Sequence, residues 1–254
     1  MNAHNLNEEN VYAPIPGNIP DPVADTKVAP YKFIGLLKMT FPNGKKYFGT
    51  GTVIAKSNEN DSHYVLTCAH NLYDSEDGGK ATKIEFVRAY NDPDKPFPSI
   101  EAVSWKYPDG YPAVSVSKHH EKILLLENKI DLLQKDINLD YGIVKLASKV
   151  NSVDGFPGLI VKTTEELKDL AVQINGYGWL DEKMSSAKGP IKEVGDKYLR
   201  YPISTRVGAS GSAITKGNSK EIVGIHTRGY DDKLNQGVRI TQTVKDEFLG
   251  WMNE

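Results

Sequence analysis

The chain is predicted to be an all-β protein, a barrel or sandwich, with one inserted helix and one C-terminal helix. Three observations predict this. Short runs rich in β-branched and aromatic residues recur from Tyr31 onward. Clusters of turn residues separate them at the spacing typical of such folds. Helical periodicity appears in only two places. The 254 residues, 39% of them hydrophobic, suffice for one large β domain or two small barrels.

In chain order, residues 1 to about 30 carry Pro14, Pro16, Pro20, Pro22 and Pro30 among Asn and acidic residues. Proline removes backbone donors and disfavours helix, so this region reads as an extended leader or propeptide-like arm. YKFIGLLKMTF then leads into Pro42-Asn43-Gly44, a turn that closes a hairpin onto KYFGTGTVIAK. HYVLTCAH, KIEFVRAY and AVSWKY continue the strand series. Residues 117–136 interrupt it, with Ile123, Leu126, Ile130 and Leu133 at helical spacing and Leu125 and Leu132 widening the apolar face. A second series follows: DYGIVKL, LAVQINGYGW, KYLRYPIS, GSAIT and EIVGIHT. The chain closes on an amphipathic helix, with Thr243 and Asp246 as a capping-box-like start and Val244, Phe248 and Trp251 on one face. The expected division is therefore an arm over 1–30, an N-terminal β unit over 31–150 and a C-terminal unit over 151–254.

Bulk properties exclude several function classes. The formal charge is −2 and the Lys and Arg residues are scattered. Phosphate binding draws on concentrated basic patches, so neither nucleic acid nor an anionic membrane is an expected partner. No run approaches the roughly 18 apolar residues of a membrane span. Cys68 is the only cysteine, so the fold is held without an intrachain disulfide. His63, His119 and His120 show no metal-ligand spacing, and neither metal nor cofactor is expected. The first residues lack the basic start and apolar run of a secretory signal. The expectation is a cytoplasmic chain, one exported by another route, or a processed secreted form; a monomer is expected.

The chemistry lies in three short motifs. Thr67-Cys68-Ala69-His70 ends an apolar strand, Asp140 directly precedes the strand-like run Tyr141-Gly142-Ile143-Val144-Lys145-Leu146, and Ser210 sits in the glycine turn Gly208-Ala209-Ser210-Gly211-Ser212. Each alone is weak; together they form a coherent reactive set. A serine hydroxyl needs an adjacent base to take its proton. Histidine has the pKa for that base, and a buried carboxylate fixes its tautomer and stabilises the imidazolium. The glycines let successive N–H groups point into one hole, where they stabilise an oxyanion.

TCAH, DYGIVKL and GASGS, in that order and 70 residues apart from His70 to Asp140 and from Asp140 to Ser210, resemble the trypsin-like (chymotrypsin-fold) serine peptidases. The resemblance covers about Tyr31 to the end. It implies two six-stranded antiparallel β-barrels with His70, Asp140 and Ser210 as a catalytic triad in the cleft between them, and the N–H groups of Gly208 and Ser210 as the oxyanion hole. YPISTRVGASGSAI and EIVGIHTRGYDDKLNQGVRIT narrow the resemblance to the glutamyl endopeptidase branch. There, the residues matching Thr205 and His226 contact the carboxylate of a P1 glutamate, so the resemblance implies cleavage after Glu, then Asp. A protonated His226 would add charge to that contact, and Arg206 and Arg228 flank the pocket. The strand ending at Gly229 would pair with an extended polypeptide substrate.

Two departures qualify the match. Ala209 replaces the Asp that trypsin-type zymogens pair with a new N-terminus, and Cys68 lies two residues before His70. Cys68 reads as a small buried core residue. The competing readings are an inactive peptide-binding module of the same fold and an α/β-hydrolase. The latter fails because its serine comes first in the chain and precedes a helix.

Overall fold

The structure is a computed structural model that describes residues 15, 18–56, 59–115, 130–178, 182–230 and 233–254. The first six long strands are β1 (Ile34–Thr40), β2 (Lys46–Ile54), β3 (Asp61–Thr67), β4 (Lys83–Arg88), β5 (Ile100–Lys106) and β6 (Gly142–Asn151). They pair in the order β1-β2-β3-β6-β5-β4, and β4 returns to β1 to close the barrel. The β1–β2 hairpin turns at the predicted Pro42-Asn43-Gly44, where Gly44 takes φ +83°. That left-handed value is one only glycine adopts freely. Closure satisfies the backbone groups an open sheet would leave at its edges, and Leu37, Val53, Val65, Phe86 and Val144 fill the interior.

Six further long strands follow: β7 (Ala171–Tyr177), β8 (Met184–Pro190), β9 (Tyr198–Tyr201), β10 (Ala213–Lys216), β11 (Glu221–Gly229) and β12 (Asn235–Arg239). Their order is β8-β7-β10-β11-β12-β9. Two-residue strands, Asp21–Pro22 and Glu193–Val194, extend the β8 and β9 edges. This sheet curls around Ile174, Leu199, Tyr201, Ile203 and Ile214 but is not closed by hydrogen bonds among the described residues. Its edges are joined by chain instead, because Pro190 of β8 runs through Ile191 and Lys192 directly into Glu193. The architecture is the two-barrel chymotrypsin-like fold, with the second barrel open on one side.

β8 and β12 went unpredicted. MSSAKGP and NQGVR lack the β-branched alternation that marks a strand, and their neighbours impose the extended conformation. The inserted helix, α1 (Ile130–Leu139), runs three residues beyond the predicted end at 136. The rest of the predicted helix, with Ile123, Leu125 and Leu126, lies outside the described residues, as do the side chains of Ile130, Leu132 and Leu133. The C-terminal helix, α2 (Gln242–Met252), starts earlier than predicted. Its cap is Thr241, whose hydroxyl accepts from the Val244 N–H, not Thr243. Val244, Phe248 and Met252 form its buried face.

The seam between the barrels positions everything that follows. Ile54, Leu66, Cys68, Tyr141 and Ile143 of the first barrel pack against Ala213, Ile222, Ile225 and Val238 of the second, under Val244, Phe248 and Met252 of α2. Burying each large side chain contributes about 1.5–3 kcal/mol. The same cluster therefore fixes the strand ends that carry His70, Asp140 and Ser210.

Candidate active site

β3 ends at Thr67, and His70 follows in the single 3-10 turn Ala69–Asn71. Asp140 closes the turn between α1 and β6, with its N–H donating to Ile137 O at 3.1 Å. Ser210 occupies the turn before β10. The structure thus brings the three predicted residues to the seam from three separate stretches of chain.

His70 and Asp140 are joined twice. The His70 backbone N–H donates to Asp140 Oδ1 at 2.9 Å, and Nδ1–H donates to Oδ2 at 2.8 Å. Asp140 has no exposed side-chain surface, whereas 30% of the His70 side chain is exposed, enough to meet a reacting group. Holding Nδ1 as a donor leaves Nε2 as the acceptor nitrogen. Burial alone would lower the His70 pKa, but the charge and hydrogen bond of Asp140 outweigh it and raise it well above the usual histidine value. Burial raises Asp140, and the His70 and Arg228 charges more than offset that, holding it below the usual carboxylate range.

The serine turn is clamped to the first barrel. Thr50 N–H and Asn71 Nδ2 both donate to Ser210 O, at 2.9 and 3.0 Å, and Thr50 Oγ1 donates to Gly208 O at 2.9 Å. Gly211 N–H donates to His226 O at 2.9 Å. Gly208 and Gly211 take φ +104° and +88°. Among the described residues, the Gly208 and Ser210 N–H groups are both left without a backbone acceptor.

Ser210 Oγ donates to Thr227 O at 3.1 Å, and the neighbour of His70 Nε2 is Cys68 Sγ at 3.4 Å. Thr227 is the extra residue of a bulge in β11, between the pairs His226↔Gly237 and Arg228↔Gln236, and this aims its carbonyl at the serine turn. Ser210 Oγ is thus bonded to Thr227 O rather than to the histidine; catalytic hydrogen bonds are often formed only once substrate is bound. Cys68 is buried as predicted, but it also touches the histidine; burial pushes its thiol pKa up, away from the reactive thiolate.

The predicted specificity residues lie around β11 and β12. Thr205 Oγ1 accepts from Asn235 Nδ2 at 3.1 Å, so its own proton is left to donate elsewhere. Asn235 pairs with Gly229 across the two strands, bringing Thr205 and Gly229 to one place. His226 is buried, and its Nδ1 is 2.8 Å from Tyr201 OH. Burial keeps the Tyr201 phenol protonated. A phenol donating to Nδ1 leaves the ring proton on Nε2. Burial also pushes the His226 pKa down to about 3. The expectation of a protonated His226 is therefore corrected: the ring is a neutral donor.

Arg228 is also reassigned. Its guanidinium is buried against Asp136 of α1 and lies 3.7 Å from Asp140 Oδ2, while Arg206 is exposed. Thr50, Asn71, Asp136, Tyr201 and Asn235 were not singled out from the sequence. Only Asn71, next to His70, carried a local signal. Cys68, His70 and Asp140 are the one cluster of three ligand-type side chains within metal-binding distance among the described residues. Both Asp140 oxygens are already bonded to His70, so the set does not fit a metal centre.

Two barrels meeting at a His–Asp pair and a clamped glycine-flanked serine define the class of chymotrypsin-fold peptidases. The family model of the trypsin-like peptidase domain matches residues 49–225, and the chain belongs to that family. It is 25% identical over 202 residues to a glutamyl endopeptidase of Bacillus licheniformis, covering 74% of this chain and 56% of that protein. It is 23% identical over 243 residues to an extracellular metalloprotease of Bacillus subtilis, covering 91% of this chain and 67% of that protein. The chain thus spans just over half the length of the first of these relatives. A solved Glu endopeptidase structure in complex with MPD superposes with a TM-score of 0.70 at 22% identity, covering 94% of this chain and 98% of the other.

Proposed function

We propose that this protein is a serine endopeptidase that cleaves polypeptides after Glu, and less readily after Asp. The observation that carries the reading is the double hydrogen bond between His70 and Asp140, set beside a serine turn clamped by Thr50 and Asn71. Ser210 Oγ swings from Thr227 O to His70 Nε2 and attacks the scissile carbonyl carbon as Nε2 takes its proton. The oxyanion is held by the Gly208 and Ser210 N–H groups, each worth about 3–4 kcal/mol in comparable enzymes. The C–N bond breaks, His70 returns the proton to the leaving amine, and an acyl-enzyme remains on Ser210. Water, deprotonated by His70, releases the acid and restores the serine.

The preference for an acidic P1 side chain rests on two available donors, the Thr205 hydroxyl and His226 Nε2–H, together with the glutamyl endopeptidase relatives. A neutral donor pair favours a carboxylate acceptor without the cost of burying a second charge. The N-terminal arm lies beside this pocket, because Ser204 Oγ donates to Ile15 O at 3.1 Å. β10 stops pairing with β11 at Ala213↔Ile225, before β11 ends at Gly229. That leaves a length of strand to which an extended substrate can add.

A peptide panel varied at P1, run with wild type and Ser210→Ala, tests both levels. Cutting after Glu by wild type alone is expected. Equal cutting after Leu or Lys would remove the acidic pocket and keep the peptidase. No cutting, with no labelling of Ser210 by a fluorophosphonate, would instead mark an inactive peptide-binding module.

A further inference from the structure

The inserted helix α1 contributes one buried charge to the seam. Asp136 is fully buried, and its Oδ2 accepts from Arg228 NH2. Its Oδ1 has no hydrogen-bond partner. Arg228 comes from β11 of the second barrel, next to Thr227, and the same NH2 is 3.7 Å from Asp140 Oδ2. One guanidinium therefore stands between two buried carboxylates: in closer contact with Asp136, farther from Asp140. Asp140 keeps both oxygens for His70 as a result.

We propose that Asp136 is a positioning residue of the catalytic centre: from the inserted helix it holds the Arg228 guanidinium off Asp140, leaving Asp140 to orient and charge-stabilise His70. The inference rests on the His70–Asp140–Ser210 reading. Burial, only partly offset by the Arg228 charge, pushes the Asp136 pKa up to about 6, so at neutral pH with His70 neutral the group Asp140, Asp136 and Arg228 carries one net negative charge. When His70 takes the serine proton, the imidazolium and these three groups together sum to zero. In a buried site an arrangement that loses its net charge as the reaction proceeds favours that proton transfer. Without Asp136, Arg228 would turn fully to Asp140 and spend the carboxylate that the imidazolium needs. Without Arg228, both carboxylates would face His70 unopposed. The other titratable groups facing the cluster are Cys68, Tyr111 of the one-turn helix Tyr111–Val114, and His226 on β11. Burial keeps the first two protonated and the third neutral, so none supplies a competing charge at neutral pH.

The test is the acid limb of kcat/KM, which reports the free enzyme's histidine, for D136N, R228Q and the double variant, with Ser210→Ala alongside. D136N is expected to move the limb down, and R228Q to move it up, each by roughly half to one pH unit. The double variant is expected to return close to wild type, and Arg228→Lys to retain the wild-type limb. A merely structural pair would lower kcat and melting temperature in both single variants with the limb fixed or moved in one common direction, and that would overturn the proposal. If one single variant does not fold, the sign of the shift in the other decides. If neither folds, a folded double variant with the wild-type limb supports the proposal, and loss of all three overturns it. Cleavage that survives Ser210→Ala would instead refute the triad reading itself. Ser210-dependent cleavage without opposed limbs would refute only the role of Asp136.

Discussion

Gly211→Ala tests whether the serine turn depends on the contact between the barrels. A Cβ at this position would lie 2.1 Å from Thr67 Oγ1, 2.3 Å from Thr50 O and 3.0 Å from Asn71 Nδ2. None of these atoms can yield cheaply. Thr67 Oγ1 donates to Thr50 O, Asn71 Nδ2 donates to Thr67 Oγ1 and Ser210 O, and Thr50 O is backbone. The backbone at Gly211 has φ +88°, which costs an L-residue about 1–2 kcal/mol. Overpacking adds about 1–3 kcal/mol, giving a loss of about 2–5 kcal/mol. For a chain of this size that corresponds to a fall in melting temperature of roughly 5–15 °C. The residual folded protein would carry a displaced Ser210, so fluorophosphonate labelling should slow along with peptide cleavage. The assay pairs a thermal melt with the labelling rate below the transition. A melting temperature within about 2 °C of wild type, with unchanged labelling, would refute the close approach of the serine turn to Thr50 and Thr67.

Asp140→Asn should leave the fold intact and lower kcat by about 10⁴-fold, as when the orienting carboxylate of a comparable triad is lost; steady-state kinetics on a P1 Glu peptide read this. In wild type, kcat/KM should rise with pH through a histidine value above the usual 6.5, because His70 must be neutral to accept the serine proton; a limb below 6.5 would contradict the Asp140 contact. Thr205→Val should cut kcat/KM for P1 Glu by roughly 10–100-fold and barely change it for P1 Leu, as a matched peptide pair would show. With His226 at about 3, the Glu-to-Gln preference should stay flat from about pH 8 to 5.5 and weaken only as the substrate carboxyl protonates near 4.3; an inflection near 6.5 would restore a charged His226. Asn71→Ala removes one buried and one part-buried hydrogen bond and should lower stability by about 1–3 kcal/mol, seen as a melting shift of a few degrees.

Much of this protein was legible in one dimension. The strands that read as β-branched runs, from YKFIGLLKMTF to EIVGIHT, are strands because their alternation suits a half-buried pleated surface. His70, Asp140 and Ser210 stood out because nucleophile, base and orienting acid are distinctive residue types in distinctive local settings: a strand end, a strand start and a glycine turn. Local pattern also placed the two helices, though not their bounds, since Thr241 rather than Thr243 makes the cap and α1 continues to Leu139. Sequence could not show what lies across the seam. Asp136 looked like one more polar position on a helix, and Arg228 like a pocket or surface charge; they are a buried pair only because α1 and β11 meet. Thr50 and Asn71 became clamps because the serine turn of the other barrel comes to rest on them. His226 kept its identity but lost its charge, because burial in the second barrel removes the water an imidazolium requires. Residue type and short-range spacing set which chemistry this chain can perform. Which of its charges are paired, buried or silenced was decided by contacts between residues tens of positions apart, and those exist only once both barrels have folded against each other.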